Sequence, residues 1–259
     1  MKTVVCEKCG FEYNEELGKC PLCSLLEKKQ SKKEEKVIDL HWCYSLALFI
    51  IGSFGLHIIA FKLSRIFAFD AHEGYYSGLI NFTAYFILFA FLMPGVIANF
   101  DLFKKHMKGF EKYLYGLLFG ACVLFGTIII NIIINSIHTI EPNVNESAIR
   151  SVISMSPVLS IIVFGFIGPI CEELTYRAGL FTLINKKNKI LAYIVTVVIF
   201  GFIHFDYENI TSINEWLNLP IYCFSGFMFC LAYDKFGLPA SILAHMTNNL
   251  VSVILNALN

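Results

Sequence analysis

Long apolar segments constrain this chain more than any other feature of its sequence. Between residue 42 and the end of the chain, seven such segments lie at about 43–61, 77–98, 113–137, 157–185, 190–206, 218–233 and 239–257. Most have the roughly 17–25 residues that a helix needs to cross about 30 Å of hydrocarbon. Only 15% of the residues are charged, against about a quarter in soluble domains. The sequence therefore predicts an all-α integral membrane protein with about seven transmembrane helices.

The charges of the loops predict how these helices are oriented. Basic residues lie before the first segment and in the second, fourth and sixth loops: Lys28 to Lys36, Lys104 to Lys112, Lys186 to Lys189, and Lys235. The other loops carry acidic residues such as Glu141 and Glu215. Because short loops rich in lysine and arginine stay in the cytoplasm, we expect a multi-pass protein of the cell membrane with a cytoplasmic N-terminus. We therefore expect the protein to be embedded in the lipid bilayer. The sequence has no large basic face, so we expect no nucleic-acid partner.

Two C-x-x-C pairs, separated by ten residues, lie near the N-terminus: Cys6 with Cys9, and Cys20 with Cys23. Four thiolates can form a tetrahedral zinc site, and the pattern resembles a zinc ribbon. Two disulfides are the alternative, although a reducing cytoplasm argues against them. Four cysteines leave no open position on the metal, so this zinc is predicted to be structural. The ribbon could bind a protein partner.

Two adjacent glutamates, Glu172 and Glu173, lie inside the fourth apolar segment. An ionised side chain at the centre of a bilayer costs several kcal/mol, so such residues are usually functional. Glu173 and Arg177 are four residues apart, which places them on one helix face as an ion pair. Glu172 points about 100° away from Glu173. It is left without a cation and is the candidate general base.

Two histidines and an asparagine follow in later apolar segments. Glu172 lies about 15 residues before the basic turn at 186–189, and His204 lies about 16 residues after it. An antiparallel pair of helices would bring these two residues to one depth. His245 and Asn249 are four residues apart, so they can direct two hydrogen-bond donors at one oxyanion.

Three motifs in this order resemble those of the CPBP family, the CAAX proteases and bacteriocin-processing enzymes: Glu172-Glu173-xxx-Arg177, Phe200-xxx-His204 and His245-xxx-Asn249. The resemblance implies an intramembrane endopeptidase in which Glu172 and His204 activate water. It implies that His245 and Asn249 stabilise the oxyanion, while the Glu173 ion pair holds its helix in register. We predict a ribbon at 1–24, a charged linker at 25–41 and a transmembrane helical domain at 42–259, with the protease core at about 150–257.

Several alternatives remain open at the level of sequence. Glu172, His204 and His245 could bind a catalytic zinc ion, although we favour a metal-free glutamic mechanism. Cys171 could be a nucleophile. The chain could instead be a non-catalytic immunity or scaffold protein, or an ion or proton carrier. For the favoured peptidase, we expect a peptide or membrane-protein substrate, hydrophobic or lipid-anchored, near the cytoplasmic half of the bilayer.

Overall fold

The structure is a computed structural model that describes residues 3–25, 36–67 and 73–258. It divides into two compact units, Met1–Glu35 and Lys36–Asn259. Most of the predicted linker at 25–41 lies outside the described residues. The domain boundaries given above stay predictions.

The first unit contains a small antiparallel hairpin of β1 (Thr3–Val5) and β2 (Glu12–Asn14), in which Val4 pairs with Tyr13. The turn between the strands closes where the Gly10 N–H donates to the Cys6 carbonyl at 2.8 Å. Gly10 has a φ of 72° there, which glycine adopts without steric cost. A short 3₁₀ turn, Glu15–Leu17, follows β2.

Apart from a short 3₁₀ turn at Tyr207–Asn209, the described residues of the second unit form nine helices. These are α1 (Trp42–Phe67), α2 (Glu73–Ala98), α3 (Phe100–His106), α4 (Phe110–Ile137), α5 (Val144–Met155), α6 (Pro157–Asn185), α7 (Lys189–Phe202), α8 (Ile213–Phe236) and α9 (Leu238–Leu258). Six of them are long and apolar enough to cross a membrane, namely α1, α2, α4, α6, α8 and α9. Helix α7 is a shorter apolar helix of 14 residues.

These helices confirm the predicted fold class, an all-α membrane protein with about seven apolar helices. The short helices α3 and α5 were not predicted. Helix α5 begins where the Asn143 side chain accepts a hydrogen bond from the Glu146 N–H, a common N-cap. Helix α7 ends at Phe202, so His204 lies in the turn after the helix and not inside it.

Helix α6 is not a regular α-helix along its whole length. Two π-helical stretches, Ile161–Ile167 and Leu174–Phe181, flank a regular stretch at Gly168–Glu173. Pro169 contributes to this irregularity because it has no N–H to donate to a preceding carbonyl. Such π-helical stretches are rare and occur often at functional sites. Here they bracket both glutamates.

Small residues allow the long helices to approach closely. A Cβ atom at Gly116 would lie 2.9 Å from the Ala240 carbonyl oxygen, and one at Gly120 would lie 2.9 Å from the Ala244 carbonyl oxygen. Helices α4 and α9 are therefore parallel neighbours whose backbones touch at these positions. The small-xxx-small spacing of Gly116 and Gly120 is typical of such a close contact between membrane helices.

We expect the change Gly120→Ala to destabilise the protein. The new Cβ would lie 2.6 Å from the Thr247 Cβ and 2.9 Å from the Ala244 carbonyl oxygen. Overpacking of this kind costs about 1–3 kcal/mol. The thermal unfolding midpoint in detergent should fall by several degrees. Gly55→Ala is the matched control, because its Cβ would meet the flexible Leu88 side chain at 3.1 Å. Equal midpoints for the two variants would contradict the packing described here.

Candidate active site

Glu173 is a fully buried carboxylate with three partners. Its Oε1 lies 3.1 Å from Arg177 Nη1 and 2.9 Å from His245 Nδ1. Its Oε2 accepts a hydrogen bond from the Ser241 hydroxyl. The predicted ion pair with Arg177 is thus present, as a close charge contact without the alignment of a hydrogen bond. The contact with His245 was not predicted, and it ties α6 to α9.

His245 is held in one orientation by Glu173 and by an aromatic neighbour. Its ring stacks on Phe229 with centroids 4.3 Å apart. Because the Glu173 carboxylate beside Arg177 offers acceptor oxygens only, we infer that Nδ1 of His245 carries a hydrogen. Nε2 then lies on the opposite side of the ring, 3.8 Å from Glu172 Oε2.

Glu172 has a different environment from its neighbour. Its side chain is 19% exposed, against 0% for Glu173. The Oε2 atom is buried and has no hydrogen-bond partner. Within the described part of the chain, no lysine or arginine pairs with Glu172. Since an oxygen with a free lone pair can accept a proton, this environment suits a general base.

His204 lies in the turn after α7, where its ring is fixed on two sides. Nδ1 lies 2.8 Å from the Phe200 carbonyl oxygen, so we infer that Nδ1 donates and Nε2 is the free acceptor. The ring stacks on Tyr222 at 4.4 Å between centroids, with the planes within 10° of each other. Packing therefore fixes the plane of this imidazole.

Asn249 contacts the irregular part of α6. Its Nδ2 donates to the Phe164 carbonyl at 3.1 Å, and its Oδ1 accepts from Asn248 at 3.1 Å. In the first π-helical stretch, the Gly168 N–H donates to the Val163 carbonyl. Pro169 has no N–H for the Phe164 carbonyl, so the side chain of Asn249 supplies the donor. One N–H of the Asn249 amide remains for another acceptor.

A cavity of about 810 Å³ brings four of the six predicted residues together, and its lining includes Glu172, His204, His245 and Asn249. The other two, Glu173 and Arg177, are completely buried beside it. The four lining residues can act on a bound molecule directly. Of the two buried residues, Glu173 contacts His245, and Arg177 contacts Glu173.

Sequence reasoning missed a second buried carboxylate, Glu215, which it grouped with the acidic loops. This side chain accepts hydrogen bonds from the N–H groups of Val144 and Asp206, both at 3.0 Å. Its neighbour Asn143 donates to the His204 carbonyl at 2.9 Å and accepts from the Tyr222 hydroxyl at 3.2 Å. Glu215 thus joins the start of α5 to the turn that carries His204. No spacing in the sequence connects these residues.

The four predicted zinc ligands also come together, in the first unit. The sulfur atoms of Cys6, Cys9, Cys20 and Cys23 all lie within 4.8 Å of one another. The Cys6–Cys23 and Cys9–Cys20 sulfur distances are both 3.6 Å, close to the value of about 3.8 Å expected for two ligands of tetrahedral zinc. The backbone N–H of Lys8 lowers the pKa of the Cys6 thiol to about 7. Together the four cysteines could bind a metal ion.

Residues 154–251 match the family model described as Type II CAAX prenyl endopeptidase Rce1-like. The resemblance to the CPBP family is confirmed. The matched residues contain all three motifs and all six predicted site residues in the transmembrane unit. The four cysteines and the first helices lie outside the match.

Three relatives are similar to parts of the chain. An uncharacterized protein of Mycoplasma capricolum is 39% identical over 38% of this chain. YdiL of Bacillus subtilis, named as a candidate membrane peptidase, is 34% identical over 43% of the chain. The membrane-embedded CAAX protease MroQ of Staphylococcus aureus is 29% identical over 63% of the chain. These matches cover 27%, 42% and 66% of the relatives' own lengths. No solved structure is significantly similar to the chain.

We expect Glu215→Gln to destabilise the region around His204. The new amide group would face a backbone N–H that now donates to a carboxylate oxygen, and an unsatisfied buried donor costs about 1–3 kcal/mol. This corresponds to a fall of roughly 2–12 °C in the unfolding midpoint. Glu208→Gln, an exposed residue of the loop that carries His204, is the control. A Glu215→Gln midpoint equal to that of the control would refute the role given to Glu215.

For the cysteine cluster, we expect the double change Cys9→Ser and Cys20→Ser in the full-length chain to remove a bound metal ion. The unchanged protein should contain about one zinc ion per chain by mass spectrometry of its metals, and the variant none. Cys43→Ser, outside the cluster, should leave the zinc content unchanged. Zinc retained by the double variant would show that the metal is bound elsewhere in the chain.

Proposed function

We propose that the chain is an intramembrane endopeptidase that hydrolyses a peptide bond in a membrane-associated or lipid-anchored peptide. The proposal is supported most directly by Oε2 of Glu172, which is buried and has no hydrogen-bond partner. This atom belongs to a cavity that also contains two histidines and an asparagine. The match to a family of CAAX prenyl endopeptidases and the similarity to MroQ support the same class of reaction.

In the proposed reaction, Glu172 removes a proton from a water molecule as the water oxygen forms a bond to the carbonyl carbon. His204 Nε2 accepts a second hydrogen bond from this water and orients it. The carbonyl oxygen becomes an oxyanion. When the intermediate collapses, the carbon–nitrogen bond breaks, and Glu172 passes its proton to the amine that leaves.

The oxyanion needs hydrogen-bond donors at the cavity wall. Asn249 supplies the amide N–H that Phe164 does not use. His245 supplies a second hydrogen bond from Nε2 when that nitrogen carries a hydrogen, while Nδ1 stays in contact with the Glu173 carboxylate. Glu173, Arg177 and Ser241 touch neither water nor substrate in this scheme, so they are positioning residues.

We favour a metal-free reaction over a zinc-dependent one. In the described ranges, the four cysteines form the only group of three or more potential ligands close enough to hold one metal ion. Glu172, His204 and His245 do not form such a group. The proposed zinc of the cysteine cluster is structural, and the cluster offers a surface for a protein partner.

The charges of the loops support a cytoplasmic N-terminus. Lys186 and Lys189 lie at the same end of the bundle as Lys235, because Lys189 and Lys235 both contact Asp234. By the positive-inside rule this end faces the cytoplasm. The orientation belongs to the proposal.

The change Glu172→Gln should abolish hydrolysis, because an amide cannot take the proton from water. General-base catalysis contributes roughly 10²–10⁴-fold, so the products should fall by at least about 100-fold. We would compare new peptide ends in membranes from cells with the unchanged protein, with Glu172→Gln and with the control Glu208→Gln.

Equal expression of the three proteins makes the comparison interpretable. A cellular phenotype that survives Glu172→Gln, together with an unchanged set of peptide ends, would contradict the peptidase proposal. That result would favour a non-catalytic scaffold in the membrane.

A further inference from the structure

The cavity lies toward one end of the helix bundle. Its lining includes Leu124 to Asn135 of α4, in the second half of that helix, and His245 to Asn256 of α9. From α8 it includes Asn218 to Phe229, mostly in the first half of that helix. Helices α4 and α9 run parallel, and α8 joins α9 through a turn at Gly237. The cavity therefore lies at the end of the bundle where α4 and α9 end and where α8 begins.

Helix α6 runs in the opposite direction to α9. Glu173 pairs with Ser241 and His245, whereas the earlier residue Phe164 pairs with the later residue Asn249. The N-terminal end of α6 thus lies at the cavity end of the bundle. Its C-terminal end, followed by Lys186, lies at the opposite end.

The two ends of the bundle differ in charge. Nine basic residues among those described lie at the end away from the cavity: Lys36, Lys104, Lys105, Lys108, Lys112, Lys186, Lys187, Lys189 and Lys235. Three lie at the cavity end: Lys62, Arg65 and Arg150. The loops at 138–143 and 203–212 contain no lysine or arginine. Since basic loops stay in the cytoplasm, the cavity end faces away from it.

We infer that the cavity opens to the non-cytoplasmic face of the membrane and takes its substrate from that side. The substrate is then an exported or membrane-anchored peptide whose scissile bond reaches the outer half of the bilayer. This inference rests on the proposed peptidase function for its substrate. It departs from the cytoplasmic-half substrate expected from the sequence.

The lining of the cavity indicates the chemistry of this peptide. The exposed residues of its lining include Asn135, Glu141 and Pro142. Deeper inside, carboxamides such as Asn131 and Asn248 lie among apolar side chains. A carboxamide both donates and accepts hydrogen bonds, as a peptide bond does. The cavity therefore suits an extended, largely uncharged segment with apolar side chains.

The access side can be tested by labelling introduced cysteines in the full-length protein in intact cells. Ala148→Cys reports on the cavity, because Ala148 is an exposed lining residue, and Lys187→Cys reports on the opposite end. Both changes are made in a parent variant in which Cys43, Cys122 and Cys223 have been replaced by serine. The labelling of this parent variant is subtracted as background. The reagent is a membrane-impermeant maleimide.

We expect Ala148→Cys to be labelled at least about tenfold more than Lys187→Cys in intact cells, and the two to become similar after permeabilisation. Glu141→Cys, in the loop beside the cavity, is a second reporter that should behave like Ala148→Cys. Equal labelling of the two ends in intact cells, or labelling at the cavity end only after permeabilisation, would overturn the inference.

This test does not depend on catalysis, since the same labelling is expected with Glu172→Gln present. The peptidase proposal and the inference about the side of access can therefore fail independently of each other. Peptide bonds whose cleavage depends on Glu172 should lie on the non-cytoplasmic side of their membrane segments. Cleavage confined to cytoplasmic bonds would also overturn the inference.

Discussion

The buried carboxylate of Glu173 is the interaction on which the rest of the site depends. An ion taken out of water loses several kcal/mol of solvation, which a buried pair recovers only with close geometry and further hydrogen bonds. Glu173 meets this requirement with Arg177, His245 and Ser241. Arg177 in turn donates to the Gly226 carbonyl and lies 4.6 Å from the centre of the Phe200 ring. Helices α6, α7, α8 and α9 are thereby joined around one charge pair.

The same charge pair separates the roles of two adjacent glutamates. Because Arg177 pairs with Glu173, the neighbouring Glu172 keeps an oxygen without a hydrogen bond at the cavity wall. Two identical side chains one residue apart thus have opposite environments. Their environments differ because the two side chains point in different directions from the helix, although both residues are glutamates.

Much of this arrangement was predictable from the sequence. The lengths of the apolar segments indicated the membrane helices, and the four-residue spacing of Glu173 and Arg177 indicated their ion pair. The contact between Glu173 and His245 could not be predicted, because it depends on how α6 and α9 pack. The role of Glu215 was missed for a similar reason. A carboxylate near a loop looks solvent-exposed in a sequence, and only the fold shows the backbone N–H groups that surround it.

Pro169 has an effect that reaches beyond its own helix. It leaves the Phe164 carbonyl for Asn249, while Glu173 binds Ser241 and His245 nearer the start of α9. Helices α6 and α9 are consequently joined at two levels, and they cannot separate without breaking the hydrogen bonds at both. Helix α5 lines another part of the cavity, and Glu215 holds its start through the Val144 N–H. Two buried carboxylates on different helices therefore fix the walls of the cavity at two places.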